Sequence, residues 1–217
     1  MNVSRRSVLG GVLASPLLVQ ATVAPAADAA GATGTGGDGW VEVLWTAPAQ
    51  EQWGLLDVTV EPIAPAESVE RDGRRGLWFP VRSAQGDPSM TDPATAEGVG
   101  ELGGGFVART LLAELRYTQL AGVLRNEQMS GRCMVNGADA GMRPMFTWRA
   151  TDGDISIVPG TSGRPTLLRV SELPVRPTPE ALAAFTGLSR SYRTPLITTD
   201  TVVAHVTAEG RYHPPGS

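Results

Sequence analysis

The sequence of 217 residues contains no lysine, two histidines and a single cysteine, Cys133. Because one cysteine has no second cysteine to pair with, an internal disulfide is excluded and the folded chain must be held together by its core. Cys133 alternates with Gly131 and Val135 on one side of a period-two run. This alternation predicts a buried thiol that packs as a small apolar side chain.

Residues that carry catalysis or bind metals are equally scarce. The chain has no CxxC, no HxxxH and no calcium-binding loop pattern, so no metal site is expected. His205 lies in an alternating run and His213 in the tail, which makes a poor acid–base pair. Ser162 and Ser189 both miss the GxSxG pattern of a nucleophile elbow. We therefore expect no catalytic residues and a protein that is not an enzyme.

An excess of positive charge is also missing. The chain has 18 basic and 22 acidic residues and a formal net charge of −4. A chain of this balance is a poor partner for nucleic acid or for an anionic membrane surface. These two classes of partner are not expected.

No apolar run is long enough to span a membrane. The run that follows Arg5 and Arg6 ends near Val23, contains Gly10 and Pro16, and is shorter than the roughly 20 residues of a spanning helix. A charged region followed by an apolar region predicts an export signal over residues 1–29. The arginine pair resembles the twin-arginine signal, and a general secretory signal that contains two arginines is the alternative.

Cleavage of that signal is expected after Ala26 or Ala29. Cleavage after Ala29 removes two arginines and one aspartate, which takes the net charge from −4 to −5. No cysteine follows the signal to accept a lipid. The sequence thus predicts a secreted, soluble protein without stable membrane insertion.

Short period-two runs, separated by clusters of Gly, Pro, Asp and Asn, make up most of the remaining chain. They predict an antiparallel all-β fold, either a β-sandwich or an open barrel. We expect a flexible Gly-rich lead over 30–39, a single β domain over 40–209 and a flexible tail over 210–217.

Several segments carry more specific predictions. Residues 54–62 read as a half-buried strand, and Pro80 argues for an edge strand or a bulge. Residues 83–100 read as a long surface loop. Asn136-Gly137 predicts a tight hairpin turn, and the strand over 155–158 is expected to complete a three-stranded meander.

One short helix is expected over 179–186. Thr178 is a suitable N-cap, Pro179 suits the first helical position, and Gly187 ends the run. Residues 106–120 fit either a helix with a leucine stripe or an alternating strand. Because strands are expected on both sides, we predict a strand there.

Glycines and aromatic residues offer the remaining candidate sites. The run GVGELG at 98–103 fits the letters of a dinucleotide fingerprint but has neither the preceding strand nor the following helix, so it predicts a glycine-rich bend entering a strand. Tyr117 is expected to point inward, while Tyr192 and Tyr212 can face a cleft. The tryptophans of the first half of the chain are expected to pack in the core and at its rim: Trp40, Trp45, Trp53 and Trp78.

Residues 100–137, 144–148 and 165–188 together resemble exported bacterial HtaA-type domains. These domains share a glycine-rich entry, an L-x-x-L-x-V strand, a strand with Asn-Gly and a V-P-x-T-x-x-A-x-x-A segment, which "VRPTPEALAAF" resembles here. The resemblance implies a β-sandwich-like fold, export and, in some members, haem binding through an amino-terminal tyrosine. This chain has no tyrosine before Tyr117, so that ligand has no counterpart here.

The predicted function is accordingly a secreted binding or interaction module for an unknown extracellular ligand or protein, with no cofactor. A haem carrier of the HtaA type is the alternative, and an extracellular hydrolase is the second alternative. For the haem carrier, the candidate cofactor-binding residues are Tyr192, with its phenol, and Arg193 beside it.

Overall fold

Alternating apolar and polar side chains organise most of the chain into strands. The structure, a computed structural model, describes residues 34–86, 98–160, 165–188 and 196–213. The strands are β1 (Gly34–Trp45), β2 (Thr59–Ile63), β3 (Glu67–Arg71), β4 (Arg74–Gly86), β5 (Gly98–Leu102), β6 (Gly105–Arg109), β7 (Glu114–Val123), β8 (Gln128–Val135), β9 (Ala138–Thr147), β10 (Asp154–Val158), β11 (Thr166–Pro177) and β12 (Ala204–His213). The helices are α1 (Ala47–Leu55) and α2 (Pro179–Thr186), and Ala150–Asp152 forms one 3-10 turn.

All strand pairings are antiparallel, which confirms the all-β prediction. The strands follow the order β2-β6-β7-β5-β4-β1-β12-β11-β9-β8, and β7 also pairs with β8. Eight strands, from β7 through β5, β4, β1, β12, β11 and β9 to β8, therefore close into a circuit, the strand circuit. The junction of β9 with β11 consists of two residue pairs only, Arg176 with Thr147 and Pro177 with Phe146. Of the two predicted architectures the barrel is the nearer one, but the strand circuit is closed and not open.

The predicted hairpin at Asn136-Gly137 is confirmed, but the three-stranded meander is wrong. Asn136 and Gly137 have φ of 51° and 82°, the conformation of a tight turn between β8 and β9. Strand β10 pairs with β11 and not with β9. Because β9 and β10 both run antiparallel to β11, the 3-10 turn between them moves the chain along β11 and does not fold it back.

Helix α2 has the predicted bounds, whereas α1 was not predicted. Thr178 caps α2, since its Oγ1 accepts a hydrogen bond from the Ala181 N–H at 3.1 Å. Helix α1 occupies the start of the strand expected over 54–62, and strand β2 begins only at Thr59. Helix α1 lacks a distinct apolar stripe, so its sequence carried no helical period.

Residues 106–120 are extended, as predicted, but they form two strands. Strand β6 ends at Arg109 and β7 begins at Glu114. In the turn between them Thr110 Oγ1 accepts hydrogen bonds from the N–H groups of Leu112 and Ala113, at 3.3 and 3.1 Å. Leu111 is fully exposed at the tip of this turn. The apparent leucine stripe of a helix therefore does not exist in the folded chain.

Pro80 lies in an interior strand, so the edge-strand alternative was wrong and the bulge alternative is confirmed. Strand β4 pairs with β1 on one side and with β5 on the other, and the β4–β5 register shifts between Val81 and Ser83. Paired strands also extend further than expected. Strand β4 reaches Gly86 and β5 begins at Gly98, so both enter the loop predicted over 83–100.

The two ends of the described chain pair with each other. Thr35 lies opposite His213, and Gly36 lies opposite Tyr212. Strand pairing therefore begins at Gly34 and ends at His213, beyond the limits of 40 and 209 that the sequence predicts for the β domain. These end residues are mostly small or polar, so pairing and not a local apolar pattern places them in strands.

Large side chains fill the strand circuit near the helices and at its middle. The rings of Trp45 and Trp53 meet edge to face with centroids 4.8 Å apart. Tyr117 and Cys133 are both buried, as predicted. Within the described part of the chain, neither helix has the length and apolar character needed to cross a lipid bilayer.

Candidate functional site

The interior of the strand circuit is filled by large side chains near the helices and is lined by small residues at the opposite end. Along β12 the buried Ala204 lies near the helices, and Gly210 and Tyr212 follow on the same face. Cross-strand partners face the same side of a sheet, so the register shows which residues lie level with Tyr212. Those partners are small.

One row of cross-strand partners defines this region. Tyr212 pairs with Gly36, Gly36 with Ala84, Ala84 with Gly100, Gly100 with Gly122, and Gly122 with Met129. We call these six residues the glycine row. Because four neighbouring strands, β1, β4, β5 and β7, each contribute only a glycine or an alanine to this row, the circuit is hollow at this level.

The hollow is a cavity of about 230 Å³. Its lining residues are Gly36, Gly37, Val41, Val81, Ala84, Gln85, Gly86, Gly98, Val99, Gly100, Leu102, Gly122, Leu124, Met129, Trp148, Leu168, Gly210, Arg211 and Tyr212. The walls are almost entirely apolar.

The cavity exists because several wall positions are glycines, which have no side chain. A Cβ added at Gly210 meets no atom within 4 Å, one at Gly100 approaches Ser83 O at 3.9 Å, and one at Gly122 approaches the Trp148 ring at 3.8 Å. None of these three glycines has the positive φ that would itself require glycine. The backbone therefore accepts larger residues at these positions, and glycine there keeps the interior open.

A β-bulge shapes the rim beside Gly210. Asp38 has φ of 49°, and the pairing of β1 with β12 shifts between Gly37 and Trp40. A Cβ on Gly39 would lie 2.6 Å from Glu209 O, so this close approach of two backbones requires glycine. Bulges of this kind bend a strand and redirect the residues next to them.

Two polar atoms of the lining residues are buried without a partner. The Tyr212 hydroxyl and the Trp148 Nε1–H have no hydrogen-bond partner among the described residues. A buried polar group without a partner costs roughly 1–3 kcal/mol. The indole N–H can only donate, and a phenol can donate or accept.

Glu127 holds the segment that carries Trp148. Its carbonyl oxygen accepts a hydrogen bond from the Trp148 backbone N–H at 3.0 Å, and its Oε1 accepts one from the Ala150 N–H at 2.8 Å. Trp148 itself packs against the buried core. The indole is therefore fixed at a point where the chain leaves β9.

Charge is nearly absent from the cavity walls. Among the described residues that line the cavity, Arg211 alone is charged, and it alternates with Gly210 and Tyr212 along β12. Alternation places the Arg211 side chain on the outer face of the strand circuit. Among the described residues, the inner walls therefore offer apolar surface and no ionic partner.

Two other cavities are less suited to a ligand. One of about 50 Å³ lies between α1, α2 and the strands, and its lining includes Trp45, Gln52 and Phe185. It is a packing gap within the core. Another, of about 560 Å³, is an open groove beside Pro65 and Pro80, and none of the unpartnered buried atoms belongs to its lining.

The structure describes only some of the candidate site residues that the sequence suggested. Tyr192 and Arg193 lie outside the described residues, as do Ser162 and Ser189. Tyr212 lines the cavity, as the prediction of a cleft-facing tyrosine required. The run 98–103 contributes Gly98 and Gly100 to the cavity from within β5, and only its end forms the predicted bend.

The two histidines are not brought together. His205 is half-buried and its Nδ1 has no partner among the described residues, whereas His213 is exposed. Both lie on β12, and eight residues of extended chain at about 3.4 Å each separate them by about 27 Å. In the described ranges, no group of three or more His, Cys, Asp or Glu is placed to hold a metal ion.

Tyr117 and Cys133 form a buried pair in the middle of the circuit, away from the cavity lining. Burial raises the pKa of the Tyr117 phenol, and the neighbouring Cys133 raises it further. Burial also raises the pKa of the Cys133 thiol. Both groups are therefore neutral at physiological pH and act as core side chains.

Sequence reasoning missed Trp148 and Gly210 as lining residues. A signal for the glycines existed, because an isolated glycine within a strand pattern marks a bulge or a close approach of backbone or ligand. No comparable signal marked Trp148, which lies just beyond the end of β9.

No family model and no curated protein matches this chain. Among solved structures, the chain resembles the C-terminal domain of HtaA from Corynebacterium glutamicum, at 11% identity and a TM-score of 0.47, over 82% of this chain and 99% of that chain. It also resembles the heme-binding protein HtaB from Corynebacterium glutamicum, at 8% identity and a TM-score of 0.31, over 83% of this chain and 95% of that chain. The HtaA-type resemblance noted in the sequence is thus found again in the structure, as a weak similarity that assigns no ligand to this chain.

Proposed function

We propose that this chain is a secreted binding module without catalytic activity, and that it holds a small, largely apolar molecule in the glycine-lined cavity. The observation that carries the proposal is the set of glycines at Gly100, Gly122 and Gly210, which leave room for a Cβ that the chain does not use. Each buried methylene group contributes about 0.8 kcal/mol to stability. Glycines at one level of the interior, where larger side chains would fit, indicate a space that a ligand can occupy.

The size and walls of the cavity support a ligand of modest size. An apolar cavity of roughly 150 Å³ in another protein stays dry and binds benzene. A cavity of about 230 Å³ suits a molecule of about two fused rings. Burial of apolar ligand surface would supply most of the binding free energy, at about 25 cal/mol per Å².

Support for binding over catalysis comes from the lining residues themselves. Of the lining residues that the structure describes, Tyr212 alone has an ionisable side chain on the inner face, and no histidine or carboxylate reaches the cavity from the described strands. General acid–base chemistry needs such a group within hydrogen-bond reach of the substrate. Secretion is supported by the signal pattern of residues 1–29, which lie outside the described residues.

The size of this cavity gives no support to the haem-carrier alternative. Pockets for drug-sized ligands occupy about 300–1,000 Å³, and this cavity is smaller than the lower limit. The haem-carrier alternative would therefore need a different place on the chain.

The proposal is tested with N-phenyl-1-naphthylamine, an uncharged probe whose fluorescence rises in an apolar site. We expect a saturable one-to-one rise with the purified chain and at least a tenfold weaker response with Gly210→Leu. Gly54→Leu is the matched control, because Gly54 lies in α1, is exposed and also has no atom within 4 Å of an added Cβ.

Gly100→Leu gives a second cavity-filling variant if Gly210→Leu does not fold, and the melting temperature of each variant shows which ones fold. Equal probe binding by the original chain and by folded cavity-filling variants would overturn the proposed function.

A further inference from the structure

The turn between β6 and β7 carries two exposed leucines. Leu111 is 100% exposed and Leu112 is 74% exposed, whereas the neighbouring Ala113 packs against the buried core. The Thr110 N–H donates a hydrogen bond to the Ala113 carbonyl oxygen at 2.9 Å and closes the turn. Leu111 and Leu112 are therefore the two central residues of a tight hairpin turn, and we call them the leucine tip.

The conformation of this turn does not require leucine. Tight hairpin turns favour Gly, Asn and Asp, because these residues accept a positive φ. The β3–β4 and β8–β9 hairpins follow this rule with Asp72-Gly73 and Asn136-Gly137, whose φ angles lie between 50° and 82°. Neither leucine of the tip has a positive φ. Since neither turn geometry nor packing accounts for this pair of exposed apolar side chains, the pair indicates a contact with another molecule.

Hydrogen bonds hold the leucine tip in place on the strand circuit. Thr110 Oγ1 accepts one from the Leu112 N–H at 3.3 Å and donates one to the Leu188 carbonyl oxygen at 3.0 Å. Leu188 follows α2, so the tip lies at the end of the strand circuit that carries the helices, opposite the glycine row. An inference drawn from the tip is therefore independent of the cavity and of the proposed function.

The ion pairs at the base of the tip are balanced in charge. Arg109 binds Glu61 and Glu114, and Arg116 also binds Glu114. Two arginines thus face two glutamates. An anionic lipid surface attracts clusters of basic residues, and the whole chain carries a formal net charge of −4. The tip is therefore suited to an uncharged surface.

A protein partner would need a larger apolar surface than the tip offers. A stable interface buries about 800 Å² on each partner, from about 20–30 residues. Here the charged residues Arg109 and Glu114 lie directly behind the turn and form an ion pair with each other. A lipid surface is deformable and takes up a protruding apolar tip without a matched area.

We infer that the leucine tip inserts reversibly into an uncharged lipid surface and docks the protein there. Two leucine side chains bury fewer carbon atoms than a myristoyl chain, whose association constant with membranes is roughly 10⁴ M⁻¹. The association is therefore weak and reversible, and it differs from the stable insertion that the sequence does not predict.

Co-sedimentation with phosphatidylcholine vesicles at millimolar lipid tests the inference. We expect the full chain to bind with an association constant below roughly 10⁴ M⁻¹, and Leu111→Ser with Leu112→Ser to bind at least about fivefold more weakly. Met142→Ser with Val158→Ser is the matched control, because it removes two apolar side chains that are 50% and 56% exposed elsewhere. It should bind as the original chain does. Residues 1–29 are identical in all these chains, so they cause no difference between them.

A dye attached at the tip reports insertion directly. Leu111→Cys introduces an accessible thiol, whereas the natural Cys133 is buried and should not react. An environment-sensitive dye on Leu111→Cys should shift its emission to shorter wavelength when phosphatidylcholine vesicles are added. The same dye on Met142→Cys should show no shift.

Three results would overturn the inference: no binding of the original chain to phosphatidylcholine vesicles, equal binding by the folded serine variant of the tip, or an equal loss in the control variant. Tighter binding to phosphatidylglycerol than to phosphatidylcholine vesicles would also overturn it, because another, charged surface would then dock the protein. If the serine variant does not fold, as shown by its melting curve, Leu111→Asn with Leu112→Gly replaces it, since Asn-Gly suits a tight turn.

Discussion

Glu127 supports the candidate site without lining it. It has a positive φ of 48°, and its backbone N–H donates to Leu124 O at 2.9 Å. Its carbonyl and carboxylate oxygens each accept a backbone N–H from the segment of Trp148 and Ala150. Glu127 therefore links the β7–β8 turn to the end of β9, through its backbone carbonyl at Trp148 and its side chain at Ala150, and this link positions the indole.

Removal of the Glu127 carboxylate should therefore loosen the turn at Ala150, which directly follows the segment of Trp148. Hydrogen bonds to charged groups contribute about 1.5–3 kcal/mol, so we expect Glu127→Ala to lower the free energy of unfolding by roughly 1–3 kcal/mol. Probe affinity should also fall. Glu127→Gln retains an acceptor oxygen and should keep most of both quantities, as measured by urea unfolding and by the naphthylamine titration. A loss as large for Gln as for Ala would contradict this role.

Single residues also show where sequence reasoning is sufficient. The inward positions of Tyr117 and Cys133 follow from alternation alone, because a strand with one buried face fixes the direction of every side chain. The position of Trp148 depends on the 3-10 turn that follows it and on contacts with Glu127, which is distant in sequence. No local pattern contains that information.

At the scale of elements, the sequence correctly predicted the turn and the helix cap that short-range signals determine. The Asn136-Gly137 turn and the Thr178 cap each depend on a few adjacent residues, and both are present in the structure. Helix α1 and the β6–β7 turn depend on packing instead. Leu111 reads as an apolar core position in sequence, yet the turn at Thr110 places it in solvent.

The cap of α2 has a measurable role. Thr178 is buried, its Oγ1 accepts from the Ala181 N–H and donates to Pro144 O at 2.9 Å, and its backbone N–H donates to Met145 O. Loss of an N-cap side chain costs about 0.5–2 kcal/mol.

We therefore expect Thr178→Ala to lower the free energy of unfolding by roughly 1–2 kcal/mol, as measured by urea unfolding. Thr178→Ser keeps the hydroxyl and should lose less than half as much. A serine variant as unstable as the alanine variant would show that methyl packing, and not the cap, stabilises this helix end.

At the scale of the whole molecule, the strand circuit divides into a filled and a hollow part. Aromatic side chains of Trp45, Phe106 and Phe146 pack near the helices, whereas the glycine row lies at the other end. Antiparallel alternation predicted the strands but not the closure of the circuit. Closure depends on the pairings of β7 with β8 and of β9 with β11. Alternation within a single strand does not determine which strands pair.

This division also determines what the molecule should do with haemin. The cavity of about 230 Å³ is smaller than the about 300–1,000 Å³ of pockets for drug-sized ligands, and the gap between the helices and the strands is smaller still. The open groove of about 560 Å³ beside Pro65 and Pro80 has no Tyr, His, Cys or Met among its described lining residues to ligate iron. We expect a titration with micromolar haemin to give no saturable one-to-one change in the Soret region. The naphthylamine probe should bind equally well with and without haemin, because haemin does not compete for the cavity.

A sharp Soret band would favour the haem-carrier alternative, and two variants would then locate the ligand. Loss of the band in Tyr192→Phe would assign it to the tyrosine predicted from the sequence. Loss in Tyr212→Phe, together with displacement of the naphthylamine probe, would mean that the strand circuit opens enough to admit a porphyrin at the glycine row. That result would contradict the size limit from which the small-ligand proposal is derived.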